Sequence, residues 1–236
     1  MKHCPKTQTY WTPNCPECSC EHINKSAQQV TAQIVRKPWG REYCAYRNEH
    51  VAIWVLEIRR GEQTSLHAHP RKNTALIVLR GAIEVAFIRG MNTSLAALDK
   101  INIFRGRFHR TLAMTDAVLL EIETPDDKPD LVRLEDDYDR ASAPIEEATE
   151  PWTPDCLQLE EPTAKIFAGC ILTCGRFNKD ALMSQGEETI FVAIYGGLVN
   201  GLLPPGDAID GATMRRLVGA FEVLPSSLFL RIRQST

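Results

Sequence analysis

The sequence lacks any apolar run long enough to span a bilayer. Its longest runs, such as Ala75 to Leu79, fall far short of the roughly 20 residues that spanning needs. No apolar stretch with a small-residue cleavage site follows Met1, so no secretory leader is expected. A surplus of positive charge is missing too. Lys+Arg 27 against Asp+Glu 30 gives a formal charge of -3, which argues against a general binder of nucleic acid or anionic membrane. These absences leave the expectation of a soluble cytoplasmic protein whose partner is a small molecule, with no nucleic acid and no membrane. Its 236 residues, 44% hydrophobic and 24% charged, suffice for one large or two small domains with a substantial core.

Of the 8 cysteines, Cys4, Cys15, Cys18 and Cys20 fall at the very beginning of the chain. Without a secretory leader, a disulfide framework is the weaker reading. Cys15-Pro-Glu-Cys18-Ser-Cys20-Glu-His22 has thiolates at a spacing that could begin a zinc site, with Cys4 or His22 completing the ligands. A second C-x2-C pair at a knuckle distance is absent. The same segment is crowded with Ser, Thr, Pro and Asn, which suits a loosely packed tail. Both readings stand: a second metal site at Cys4, Cys15, Cys18 and Cys20, or a cysteine-bearing tail.

From about Thr31 to Thr124 the chain reads as short strands punctuated by turns. Val51 to Ile58, Thr74 to Arg80, Ala82 to Ile88, Lys100 to Phe104 and Ala117 to Glu123 are each closed by glycine- or proline-bearing turns. Helical periodicity is missing there, so an antiparallel sandwich or barrel is expected. Residues 141–160 read as an acidic, proline-bearing linker. Beyond it, Thr189 to Gly196 echoes Thr74 to Gly81, which suggests two copies of one β unit, the second shortened. Asp210 caps an expected short helix running to Phe221. The expected organisation is a tail at 1–28, a first β domain at 29–140, the linker, and a degenerate β region at 161–236.

Chemistry concentrates at the histidines. His67 and His69 flank one residue, so on a strand both imidazoles point to the same face. His109 opens a later strand. Three imidazoles converging at a barrel mouth would hold a divalent transition metal and leave positions open for substrate.

Gly61, His67, His69, Thr74 and Gly81 fall at the spacing G-x5-H-x-H-x4-E-x6-G, and Gly106-Arg-Phe-His109 supplies G-x2-H. The chain thereby resembles the cupins. This resemblance implies an all-β, double-stranded β-helix (jelly roll) with a shorter, degenerate cupin-like region at the C-terminus, and His67, His69 and His109 as metal ligands. Thr74 stands where the family has its acidic ligand, Phe104 where it has proline, and Ala113 where it has asparagine. A site of three neutral imidazoles favours zinc, iron, nickel or copper over an oxygen-preferring ion.

Within the cupins, Lys37-Pro-Trp-Gly-Arg-Glu-Tyr43, Ser65-Leu66 and Leu131 to Arg140 resemble the type II phosphomannose isomerase domain. That resemblance implies a sugar phosphate or nucleotide sugar as partner and aldose–ketose isomerisation as activity. Lys72 takes the place of an arginine expected three positions after His69, and His67 that of a common glutamine. For holding phosphate, Lys72, Arg60, Arg105 and Arg107 are the candidate cations, with Arg110 beside them. Glu57 and Glu84 are candidate bases, although the pleat register that decides their direction is not readable. Two other functions remain open: a 3-His iron(II) dioxygenase, and a non-catalytic sugar-binding module. A homodimer is expected.

Overall fold

A computed structural model describes residues 33–138, 149–198 and 202–235. The tail cysteines Cys4, Cys15, Cys18 and Cys20 therefore lie outside the described residues. In the first unit the strands are β1 (Gln33–Lys37), β2 (Gly40–Arg47), β3 (Ala52–Ile58), β4 (Leu66–Ala68), β5 (Asn73–Arg80) and β6 (Ala82–Phe87). They continue as β7 (Thr93–Ala96), β8 (Lys100–Ile103), β9 (His109–Ala113), β10 (Ala117–Thr124), β11 (Val132–Glu135) and β12 (Thr149–Pro151). The remainder comprises β13 (Thr163–Phe167), β14 (Cys170–Gly175), α1 (Lys179–Met183), β15 (Ile190–Tyr195), β16 (Ala208–Asp210), α2 (Gly211–Ala220) and β17 (Leu228–Gln234). No helix among the described residues is long and apolar enough to cross a membrane.

Two antiparallel sheets form the first unit: a 7-stranded sheet in the order β12-β1-β2-β3-β10-β5-β8 and a 5-stranded sheet in the order β11-β4-β9-β6-β7. They face each other across a core of Trp54, Leu56, Leu76, Ile83, Val85 and Leu119. Because successive strands cross between the two sheets, this is the double-stranded β-helix that the resemblance implies. Gly40 shows why the turn after Trp39 takes glycine. Its φ is +154°, and a Cβ there would lie 1.8 Å from the Glu57 carbonyl oxygen.

The C-terminal strands form a third antiparallel sheet in the order β13-β14-β17-β15-β16. That order reproduces β2-β3-β10-β5-β8, with β15 at the place of β5, as the echo between Thr189–Gly196 and Thr74–Gly81 implies. The unit's second sheet has no strand counterpart among the described residues. Helices α1 and α2 cover that face instead, packing Leu182, Met214 and Val218 against Phe191 and Phe229. Asp210 caps α2 as expected, accepting the Thr213 N–H at 2.7 Å. Leu182 and Ser184, which align with His67 and His69, fall in α1 and at its C-cap.

The two equivalent sheets stack on each other. Outward residues of the first, such as Ile77, Leu120 and Ile122, share a core with Leu172, Val192 and Leu230 of the second. Within the span expected as a linker, β12 pairs with β1, and Leu157 and Leu159 are buried against the first unit.

Candidate metal centre

Strand β4 is only three residues long and wholly buried. It lies between β9 and β11, with His67 directly opposite His109 on one side and Arg133 on the other. Cross-strand partners project to the same face, and so does His69, two residues along. The three rings converge, with centroid separations of 4.9, 4.5 and 5.7 Å. Their ligand atoms all lie within 4.8 Å of one another. Gly106, at φ +76°, lets the turn before His109 close on the first histidine segment, its N–H donating to the His69 carbonyl at 2.7 Å.

Each ring is oriented by a backbone carbonyl at Nδ1: His67 by Ser65 at 2.7 Å, His69 by Asp130 at 2.7 Å, and His109 by Arg107 at 3.0 Å. A carbonyl only accepts, so each Nδ1 carries the proton and each Nε2 keeps its lone pair. His69 Nε2 is buried and has no hydrogen-bond partner among the described residues. Burial, then the charges of His109 and His69, hold His67 well below the usual histidine range. Burial and the Lys72 ammonium push His69 down to about 3, and burial lowers His109 as well. Three neutral imidazoles with outward lone pairs are what a borderline transition metal requires, and a divalent ion fits them.

Beside the histidines lies a cavity of about 80 Å³, lined by Lys37, Trp39 and Glu42 of the opening motif and by residues of β10 and the loop after it. Its cations and carboxylates interlock. Lys72 Nζ donates to Glu123 Oε1 at 2.6 Å, both groups fully buried. Glu42 is held by Lys128 at 2.9 Å and Lys37 at 3.6 Å. Burial alone would raise Glu42, but the two lysines outweigh it and keep its carboxyl below the usual range. Lys128 also sits 3.7 Å above the Trp54 ring. Glu121 has no ion pair among the described residues, and burial together with the charge of Glu123 pushes it up to about 7.

Of the cations expected from the sequence, Lys72 lines this cavity. Arg60, Arg105 and Arg107 are exposed and do not line it. Arg107 instead stacks 4.0 Å from the Phe87 ring centroid, and Arg110 pairs with Glu135. Glu57 and Glu84 also lie elsewhere: Glu57 accepts from Arg41 at 2.8 Å and Glu84 from Asn92 at 3.1 Å. The acidic residues that share the cavity with His67 and His69 are Glu42, Glu121 and Glu123, and of these Glu121 and Glu123, on β10, are the ones whose direction the sequence hid. Their signal was a Glu-x-Glu alternation in the strand Leu119 to Glu123, a pattern that ordinarily marks a solvent face. Strand β10 is central and covered on both sides, so here the alternation points into the barrel.

No family model matches the sequence, and no curated protein matches it. Among solved structures, the chain is similar to KdgF from Halomonas sp., at 16% identity over 44% of this chain and 90% of that one, with a TM-score of 0.35. It is also similar to a cupin-2 domain protein from Shewanella frigidimarina, at 20% identity over 38% of this chain and 83% of that one (TM-score 0.34). A double-stranded β-helix protein from Klebsiella pneumoniae matches at 16% identity over 51% of this chain and 100% of that one (TM-score 0.37).

Proposed function

We propose that this chain is a metal-dependent isomerase of sugar phosphates, moving a proton between adjacent carbons of an open-chain aldose or ketose. The observation that carries the reading is Glu121, a buried carboxyl that lines the same cavity as His67 and His69, where burial and the charge of Glu123 push it up to about 7. A group with that pKa both takes and returns a proton near neutrality. His67, His69 and His109 would hold a divalent ion, which when bound polarises the substrate's carbonyl and hydroxyl oxygens. Glu121 removes the proton from the carbon bearing the hydroxyl and delivers it to the neighbouring former carbonyl carbon. The hydroxyl proton shifts to the other oxygen, so the step needs no oxidant or reductant. Lys72, paired with Glu123, and Lys37 and Lys128, both paired with Glu42, are the cations that line the cavity, and their ammonium groups would meet the substrate's oxygens as hydrogen-bond donors. The cavity, about 80 Å³, has room for the reacting end of such a molecule.

The test is solvent-proton exchange in D2O, followed by NMR, with protein loaded separately with zinc, iron(II), nickel and copper and offered aldose and ketose 6-phosphates. Deuterium incorporation at C2 or C1 is expected, with E121Q slower by about 10²–10⁴-fold. Absence of exchange with every metal would overturn the reading. A second reading, a 3-His iron(II) dioxygenase, is favoured by the ligand cluster containing three imidazoles and no carboxylate. Oxygen uptake by the iron(II) form, without exchange, would decide for it.

A further inference from the structure

The acidic position of the first motif is Thr74, yet the residue directly opposite it across the β5–β10 pair is Glu123. Directly opposed residues of an antiparallel pair share a face and lie about 4.5–5.5 Å apart at Cβ. Glu123 therefore enters the barrel beside the place the missing carboxylate would occupy. Both residues are 2% exposed. Glu123 Oε2 and His69 Nε2, whose residues line the same cavity, are buried with no hydrogen-bond partner among the described residues, and so is Thr74 Oγ1. Such orphans each cost about 1–3 kcal/mol if left unmet, so Glu123 Oε2 and His69 Nε2, in one cavity, call for an occupant there. Lys72 fixes only the other oxygen, Glu123 Oε1.

We propose that Glu123 supplies from the neighbouring strand a carboxylate beside the metal centre, as a positioning residue where position 74 offers no acidic ligand. Its free oxygen accepts a hydrogen bond from a water or substrate hydroxyl next to the three imidazoles, and its charge offsets that of the Lys72 ammonium beside the cation. The cluster of mutually close ligand atoms contains no carboxylate, so Glu123 is a positioning residue and not a direct ligand. The inference rests on the three-histidine metal centre but not on the reaction assigned to it.

The experiment measures zinc and cobalt(II) affinity of the full chain by competition with a chromophoric chelator, alongside the visible spectrum of the cobalt form. The charge-balanced variant E123Q/K72M removes both members of the pair and leaves the net charge unchanged. About 10–100-fold weaker binding and an altered cobalt spectrum are expected, with the metal-free melting temperature close to wild type. Wild-type affinity and spectrum in that variant would overturn the proposal and reduce the pair to packing. If the double variant does not fold, E123D decides. It keeps the charge but draws the oxygen back, so a severalfold loss of affinity supports the proposal and an unchanged affinity overturns it. Wild-type protein that takes up neither metal overturns the metal centre itself, an outcome distinct from the first.

Discussion

Asn102 on β8 and Ala208 on β16 exchange two hydrogen bonds across the boundary between the first unit and the C-terminal sheet. Asn102 Nδ2 donates to the Ala208 carbonyl at 3.0 Å, and the Ala208 N–H donates to Asn102 Oδ1 at 3.1 Å. A side-chain amide thus closes the edge of β16 where a further strand would otherwise be needed. It fixes the register of the two equivalent sheets together with Asn48, whose Nδ2 donates to the Ile194 carbonyl of β15 at 2.8 Å.

Removing this clasp should therefore cost more than removing the ion pair next to it. N102A leaves two backbone groups of β16 without their partners, a loss of about 1–2 kcal/mol. Tm should fall by roughly 2–8 °C. The neighbouring Lys100–Asp210 pair, at 3.2 Å, is partly exposed, so K100A should cost well under about 1 kcal/mol. Thermal melts of the two variants check the ranking, and equal effects would mean that the Asn102 clasp adds nothing beyond an exposed ion pair.

Glu121 sets a pH dependence of stability with a definite sign. Its folded pKa, about 7, lies above the ordinary 4.5, so between those values the folded state binds more protons than the unfolded state. Its contribution is complete below about pH 4.5, declines as pH rises through 7, and levels off above. The neutral histidines act in the opposite sense: with His69 lowered to about 3, their contribution is complete above about pH 6.5 and is lost as pH falls. E121Q isolates the first effect. Relative to wild type, the metal-free variant should gain roughly 2–3 kcal/mol of stability between pH 5 and pH 8. Urea denaturation at both pH values measures this, and parallel pH profiles for the two proteins would refute it.

The sequence carried the histidines because their chemistry depends on spacing alone. A pair at i and i+2 on a strand shares one face, and the third imidazole joins it because β9 pairs with β4 so that His109 lies opposite His67. Strand positions and the Asp210 cap were legible for the same reason, being local. What was not legible depends on facing direction or on distant backbone. Arg105 and Arg107 neighbour His109 in sequence, but the turn at Gly106 leaves them exposed. Glu121 and Glu123 look like surface residues until β10 is known to be central. Asp130 carries no motif of its own, because the atom that orients His69 is its main-chain oxygen, reaching across 61 positions.

That oxygen is in turn held in place by the Asp130 side chain, which gives the last prediction. Asp130 is 2% exposed, and its Oδ2 accepts the Arg71 N–H at 2.8 Å and the Lys72 N–H at 3.0 Å. The carboxylate thus ties the turn after His69 to the loop whose carbonyl fixes the His69 ring. D130A leaves both donors unmet and frees the loop, so the His69 tautomer and direction are no longer imposed. Zinc affinity should drop by about 10–100-fold, the cost usual for losing the group that orients a ligating histidine. D130N keeps an oxygen acceptor at the same place and should retain most of the affinity, which separates loop anchoring from the loss of charge. Chelator competition on both variants, with H69A as the reference for a lost ligand, measures the effect. If D130A binds zinc as wild type does, the Asp130 side chain plays no part in orienting His69.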